Sequence, residues 1–175
     1  MRDMTPSCPE PAFEPAPLKM ARQVVLPEWI DYNGHMNVAY YTLAFDHAFD
    51  DLLENWLGIG VSFVERSRLG PMALQGQNCY LSELMEGEPF HVEVLLLDCD
   101  PKKMHFFGSM ISDRTGALAA TYEAVSMCVD LDARKSAPYP DWAFGRLEAM
   151  RKAQAELERP PQVGRPLGIA RKRPA

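Results

Sequence analysis

Between Asn37 and Leu57 the chain carries one unbroken helical stripe, which limits what everything around it can become. Tyr41, Phe45, Ala48, Phe49, Leu52 and Trp56 recur at i, i+4, i+7, i+8, i+11 and i+15, a single apolar face. Asp46, Asp50 and Glu54 follow one another at four-residue spacing on another face. Asn37 is placed to cap the first turn, and Gly58 with Gly60 supplies the stop. At 1.5 Å per residue such a helix is about 30 Å long, enough to cross the whole face of a small sheet. A stripe that long has to be covered, and the remaining sequence offers strands to cover it.

Before the helix, residues 18–31 read as an extended segment with Pro27 near its end. After it, strands are expected at 71–84, 89–99, 104–112 and 117–131. The turns between them are Glu86-Gly87-Glu88-Pro89, Asp100-Pro101-Lys102-Lys103 and Asp113-Arg114-Thr115-Gly116. Residues 142–157 read as a short terminal helix. Strand, long helix and four hairpin-linked strands make an α+β domain, with an antiparallel sheet packed on one helix.

The chain's 175 residues suit one domain with tails. Residues 1–17 hold five of the fifteen prolines, and residues 159–175 hold Arg159, Arg165, Arg171, Lys172 and Arg173 without an acid. Both read as disordered tails outside a domain at 18–158. They carry −2 and +5 of the formal −6, which leaves −9 on the body. An acidic body argues against nucleic acid as the main ligand. No apolar run reaches the ~20 residues of a membrane span, and the N-terminus lacks the apolar core of a signal peptide. Cys8, Cys79, Cys99 and Cys128 lie far apart without a CxxC pair, so free thiols in a reducing cytoplasm are expected and a zinc site is not. His47, His91 and His105 are likewise scattered without a ligand pattern.

The most unusual segment is Trp29-Ile-Asp-Tyr-Asn-Gly-His-Met-Asn37, directly before the helix. It sets Asp31 a few residues ahead of a helix N-terminus, where unpaired N–H groups point outward. Those donors can hold a carbonyl oxygen as it gains charge, while the carboxylate acts on the carbonyl carbon or on a water. Gly34 lets backbone approach a ligand closely. The same residues also fit plain capping, with Asp31 and Asn37 serving only the backbone.

Asp31-Tyr-Asn-Gly-His-Met-Asn37, followed by Tyr40-Tyr41, resembles the signature of hotdog-fold acyl-CoA thioesterases of the 4-hydroxybenzoyl-CoA thioesterase type. The element order over about residues 19–131 is similar to that fold, a sheet of about five strands wrapped on one central helix. The resemblance implies hydrolysis of an acyl-CoA to free acid and CoA. Asp31 would be the general base or nucleophile, and the backbone at Gly34, His35 and Met36 would polarise the thioester carbonyl. It implies no cofactor beyond coenzyme A as part of the substrate. It also implies a homodimer or homotetramer, with the site facing strand 74–81 of a partner copy. Many members begin the motif with Asp-x-Asp. Trp29 stands at the first of those positions here, leaving Asp31 alone to carry the charge.

Pro27 to Met36 further resembles the opening of thioesterases of carnitine breakdown, which act on betainyl-CoA. A trimethylammonium group favours aromatic faces, and Trp29 and Tyr32 flank Asp31 in sequence. Tyr41 belongs to the helical stripe; Trp29 and Tyr32 fit either a core role or an aromatic wall. Gln75 and Gln77 occupy places where that subgroup has a Glu-x-His-like pattern. With Asn78, and with Asn37 at the helix start, they are expected to shape the acyl pocket. Lys102 and Lys103 match the positions that hold CoA phosphates in similar proteins, and otherwise are solvated turn lysines. Arg66 and Arg68 are weaker candidates for the same task.

Two other classes compete. A hydratase of this fold needs an acid–base pair on the β-carbon, and its motif is missing around the long helix. An acyl-CoA sensor without catalysis would keep the fold yet gains nothing from Asp31.

Overall fold

The computed structural model describes residues 2–169. Helix α1 (Val38–Leu52) begins under an Asn37 cap, whose Oδ1 accepts the Ala39 N–H at 2.9 Å. Its last turn, Leu53–Leu57, widens into a π turn and stops at Gly58, where φ is +73° and a side chain would be strained. Because the π turn takes in one residue more than an α turn, Leu53 and Leu57 become the buried positions there, and Trp56 is only half-buried. A second helix, α2 (Val61–Ser67), follows where the sequence reading assigns no element.

The sheet is antiparallel throughout. Its long strands are β3 (Leu69–Tyr80), β4 (Pro89–Cys99), β5 (Lys103–Ser112) and β6 (Leu118–Asp130). Two-residue strands β1 (Leu18–Lys19) and β2 (Gln23–Val24) pair with β4, and β7 (Lys135–Ser136) pairs with β6. The order β1-β4-β5-β6-β3 leaves β3 at one edge. The expected strand extents stand to within a few residues, except that the first segment is two short strands and a 3-10 turn at Pro27–Trp29.

The sheet wraps α1 in the hotdog manner. Phe45 is fully buried, Phe49 stacks on Phe106 at 5.5 Å, and Tyr122 lies against both helix phenylalanines. Phe90, Val92, Val94 and Leu96 alternate inward from β4. The outward alternates Leu95 and Leu97, with Phe107, form a smaller cluster covered by Leu157 and Val163.

Helix α3 (Asp141–Ala153) closes the domain beside β4. Residues 2–17, expected as a disordered tail, run in step along it. The carbonyls of Met4, Cys8 and Ala16 accept from Trp142 Nε1, Arg146 Nη2 and Gln154 Nε2 at 2.8, 3.0 and 3.0 Å. Phe13 stacks on Trp56, and Arg2 pairs with Asp130 and Asp132. These contacts use backbone acceptors, so a proline-rich composition does not prevent them. The C-terminal segment is also laid on the domain: the Gly164 N–H donates to Glu123 and the Arg165 carbonyl accepts from Gln77. Arg171, Lys172 and Arg173 lie outside the described residues. No helix among the described residues is long and apolar enough to cross a membrane.

Candidate active site

Asp31 opens a tight turn ahead of α1. Its carbonyl accepts the Gly34 N–H at 3.0 Å, closing residues 31–34, and its Oδ1 accepts the Asn33 N–H at 2.7 Å in an Asx turn. Gly34 holds φ at +83°, a conformation that favours glycine. The Asx bond fixes the carboxylate and leaves Oδ2 without a donor among the described residues.

Of the three positions expected to polarise a carbonyl, two have their N–H groups already committed. The Gly34 N–H closes the turn, and the Met36 N–H donates to the Leu84 carbonyl at 2.9 Å. The Asn37 N–H goes to the Trp29 carbonyl at 2.8 Å. Among the described residues the N–H groups of His35 and Val38 donate to no acceptor. Val38 was not singled out from the sequence, although the cap implies it. Asn37 spends its side chain on Ala39, the second helical residue, and leaves the first N–H open. The positive end of the α1 dipole lies at the same point.

These donors border a cavity of about 290 Å³. His35, Met36, Val38 and Tyr41 form one side, and residues 80–83, after the end of β3, form the other. Leu84 clips the two sides together: its carbonyl takes the Met36 N–H and its own N–H donates to Tyr41 Oη at 3.2 Å. His35 Nδ1 sits 3.1 Å from the Met36 carbonyl and its Nε2 4.0 Å from Glu83. Tyr80 and Glu83 thus belong to the cavity although the sequence reading left them out, and Tyr41, which it assigned to the helical stripe, lines the cavity as well.

The aromatic pair expected around Asp31 is separated. Trp29 is buried and stacked on Tyr40 at 5.4 Å and 11°, whereas Tyr32 is 96% exposed on the turn. Gln75 and Gln77 do not reach the cavity of their own chain. A bulge at Leu74 resets the alternation of β3, so both sit on the outer sheet face, Gln77 bonded to Arg165. Asn78 points inward and donates to Thr42 Oγ1 at 2.9 Å. Lys102 and Lys103 stand exposed at the β4–β5 turn, held there by N–H bonds to Asp100 Oδ1. Their side chains form no ion pair among the described residues, which leaves them available to an anion. Arg66 and Arg68 are occupied with Asp3 and Asp132.

The loop behind Leu84 is anchored by Glu88, a carboxylate only 3% exposed. Burial pushes its pKa up, but the Ser112 hydroxyl, the Met85 N–H and the Arg114 guanidinium outweigh this and hold it below the usual range. Asp113 is held low in the same way, burial being outweighed by His91 and Arg22. Depressed carboxyl pKa values contribute stability above the unfolded range near 4, and this is lost as pH falls through the folded values. Thermal stability is therefore expected to drop steeply below about pH 4, and Glu88→Gln to flatten that slope. An identical acid limb in the variant, followed by melting across pH 2.5–6, would remove Glu88 from this role.

The comparisons with known proteins bear on the family and the fold. Residues 25–150 match the family model for the thioesterase-like superfamily. Betainyl-CoA thioesterase of Pseudomonas aeruginosa is 35% identical over 147 residues, 83% of this chain and 91% of that protein. L-carnitine dehydrogenase/betainyl-CoA thioesterase of Rhizobium meliloti is 30% identical over 155 residues, which is 89% of this chain but 31% of that longer protein. Protein SAV2348 of Staphylococcus aureus, solved in complex with CoA, superposes with a TM-score of 0.82 at 26% identity. That match covers 92% of this chain and all of the other, 100%.

Proposed function

This chain belongs to the thioesterase-like superfamily, and on that footing we propose that it hydrolyses betainyl-CoA to betaine and CoA. The observation that carries the chemistry is a carboxylate fixed in the turn that leads into a helix N-terminus with two unspent N–H groups. The N–H donors line the cavity, and Asp31 stands in the turn ahead of them rather than among its lining residues. Asp31 Oδ2 acts on the thioester carbonyl carbon, through a water it deprotonates or by direct attack. The carbonyl oxygen gathers negative charge against the His35 and Val38 N–H groups, aided by the helix dipole. Collapse of the tetrahedral species expels the CoA thiolate. Where water attacked, this leaves betaine; where Asp31 attacked, it leaves a mixed anhydride that a water then cleaves to betaine and the free carboxylate. Coenzyme A enters as part of the substrate, with Lys102 and Lys103 as candidates for its phosphates, and no further cofactor takes part. The substrate choice rests on the two betainyl-CoA relatives. The four free thiols suit a reducing cytoplasm.

We place the working unit in a homodimer built on β3. That strand is twelve residues long, lies at the sheet edge and exposes Met72, Leu74 and Tyr80. Such an edge invites pairing with a second copy. Pairing would bring the partner's β3 near the cavity mouth, since Tyr80, the last residue of β3, also lines the cavity. Leu74→Lys is expected to shift the protein to monomer in light scattering and to reduce turnover with it. A variant that remains dimeric would move the interface elsewhere.

The direct test is release of free thiol from a panel of acyl-CoAs, with betainyl-CoA alongside short, medium and aromatic acyl chains. Rapid release from betainyl-CoA supports the reading. Tight CoA binding without release from any thioester would make the protein a sensor, and faster turnover of another acyl group would replace the substrate.

A further inference from the structure

We infer that the corner made by Tyr41 and Tyr80, with Glu83 beside it, is the part of the site that reads a quaternary ammonium acyl group. This rests on the proposed acyl-CoA hydrolysis and deepens it, because it says which residues separate a cationic acyl chain from a neutral one. The two tyrosine rings meet at 76° with centroids 5.4 Å apart, so they form two adjoining walls of the cavity rather than one stacked surface. Tyr41 is held rigidly, its hydroxyl accepting from the Leu84 N–H and donating to the Ser82 carbonyl at 3.4 Å. Burial pushes both phenols up, which keeps the rings neutral. Tyr80 is half-exposed and supplies the reachable wall, while Tyr41, only 4% exposed, backs it and reaches the cavity with its rim.

A trimethylammonium group has no N–H to donate, and its charge is spread over its methyl groups. It is bound by aromatic faces and by a carboxylate near but not bonded to it. Among the described residues Glu83 is the only carboxylate lining the cavity, and its side chain is 72% exposed. Met36 and Leu81 complete an apolar lining that tolerates the methyl groups. The aromatics beside Asp31 in sequence do not offer this chemistry. The face of Trp29 is taken by Tyr40, and Tyr32 stands in solvent. A neutral acyl end of the same shape would fill the corner equally well, but would gain nothing from the ring faces and would shield Glu83 from water.

The test compares kcat/KM for betainyl-CoA with that for 3,3-dimethylbutyryl-CoA, in which a quaternary carbon replaces the nitrogen without changing shape. The native protein is expected to favour the cationic substrate by about 30-fold or more, the size two aromatic walls and a carboxylate supply. Tyr80→Leu and Glu83→Gln should each shrink that ratio by about tenfold, losing more on the cation than on its isostere. Tyr80→Phe, which keeps the ring, should retain it. Both positions are exposed in the single chain, so the fold should survive. Because Tyr80 ends the edge strand proposed to pair, melting curves check the fold and light scattering checks the dimer. A native preference that persists unchanged in both variants overturns the assignment and leaves the betainyl-CoA reading intact. A native protein that hydrolyses the two substrates alike overturns the assignment alone, and one that hydrolyses neither while acting on another thioester overturns both.

Discussion

Replacing Asp31 with asparagine is expected to cut kcat about 1000-fold while KM changes by less than about threefold. The substitution keeps the size of the side chain and can keep the Asx bond, since the amide oxygen still accepts the Asn33 N–H found at 2.7 Å. What it removes is the charge on Oδ2, the oxygen with no donor among the described residues. A tenfold loss corresponds to about 1.4 kcal/mol, so the effect asks about 4 kcal/mol of this one group. Val38 cannot be tested by side-chain replacement, because the role proposed for it falls to its backbone N–H. Its contribution would appear as the residual hydrolysis that the Asp31→Asn protein keeps over water. Turnover unchanged in a folded Asp31→Asn protein would remove Asp31 from the reaction and return it to the role of a turn former.

Arg146→Ala should cost about 3 kcal/mol of stability, the largest single effect expected outside the site. Arg146 is only 7% exposed and has no carboxylate partner among the described residues. Its guanidinium is shared between the Leu57 carbonyl at 3.2 Å, the Cys8 carbonyl at 3.0 Å and Cys8 Sγ at 3.3 Å. It also lies over the Trp142 ring at 5.1 Å. One planar fork thus joins the end of α1, the N-terminal segment and α3, and its removal leaves two carbonyls without that donor. For a domain of this size the melting temperature should fall by about 10 °C. Arg146→Lys restores the charge but not the fork, and should recover only part of the loss. Residues 2–17 should become accessible to protease in both. A melting temperature within about 1 °C of the native value would show that the acceptors find water at little cost.

The elements with long-range periodicity were legible in the sequence because a helix stripe and strand alternation are repeated many times over. Asn37 as cap and Gly58 as stop were legible for a local reason, since each does its work within one turn. Helix α2 was not, because seven residues of Val-Ser-Phe-Val-Glu-Arg-Ser give too short a sample of any period. The inward or outward aim of Gln75 and Gln77 depends on one extra residue at Leu74, and nothing in the sequence marks that bulge. Trp29 and Tyr32 are two places from Asp31 and adjacent to it, yet a 3-10 turn buries one while the following tight turn ejects the other. The N-terminal segment was invisible for a different reason: it is held chiefly through its carbonyl oxygens, which every sequence has. Around Asp31 the loop could be recognised, but which N–H groups were free depended on Leu84, almost fifty residues further on.

The contacts that bind residues 2–17 to α3 join Met4 to Trp142, Cys8 to Arg146 and Ala16 to Gln154, each across 138 positions of chain. Closing so long a loop costs entropy that no local bond repays, so these contacts belong to the last stage of folding. Interactions absent from the folding transition state act almost wholly on the escape rate. Refolding from denaturant should therefore proceed at nearly the same speed in Arg146→Ala, while its unfolding limb rises by roughly two orders of magnitude. The strap would then govern how long a folded molecule lasts, and leave the time it takes to fold to the sheet and its helix.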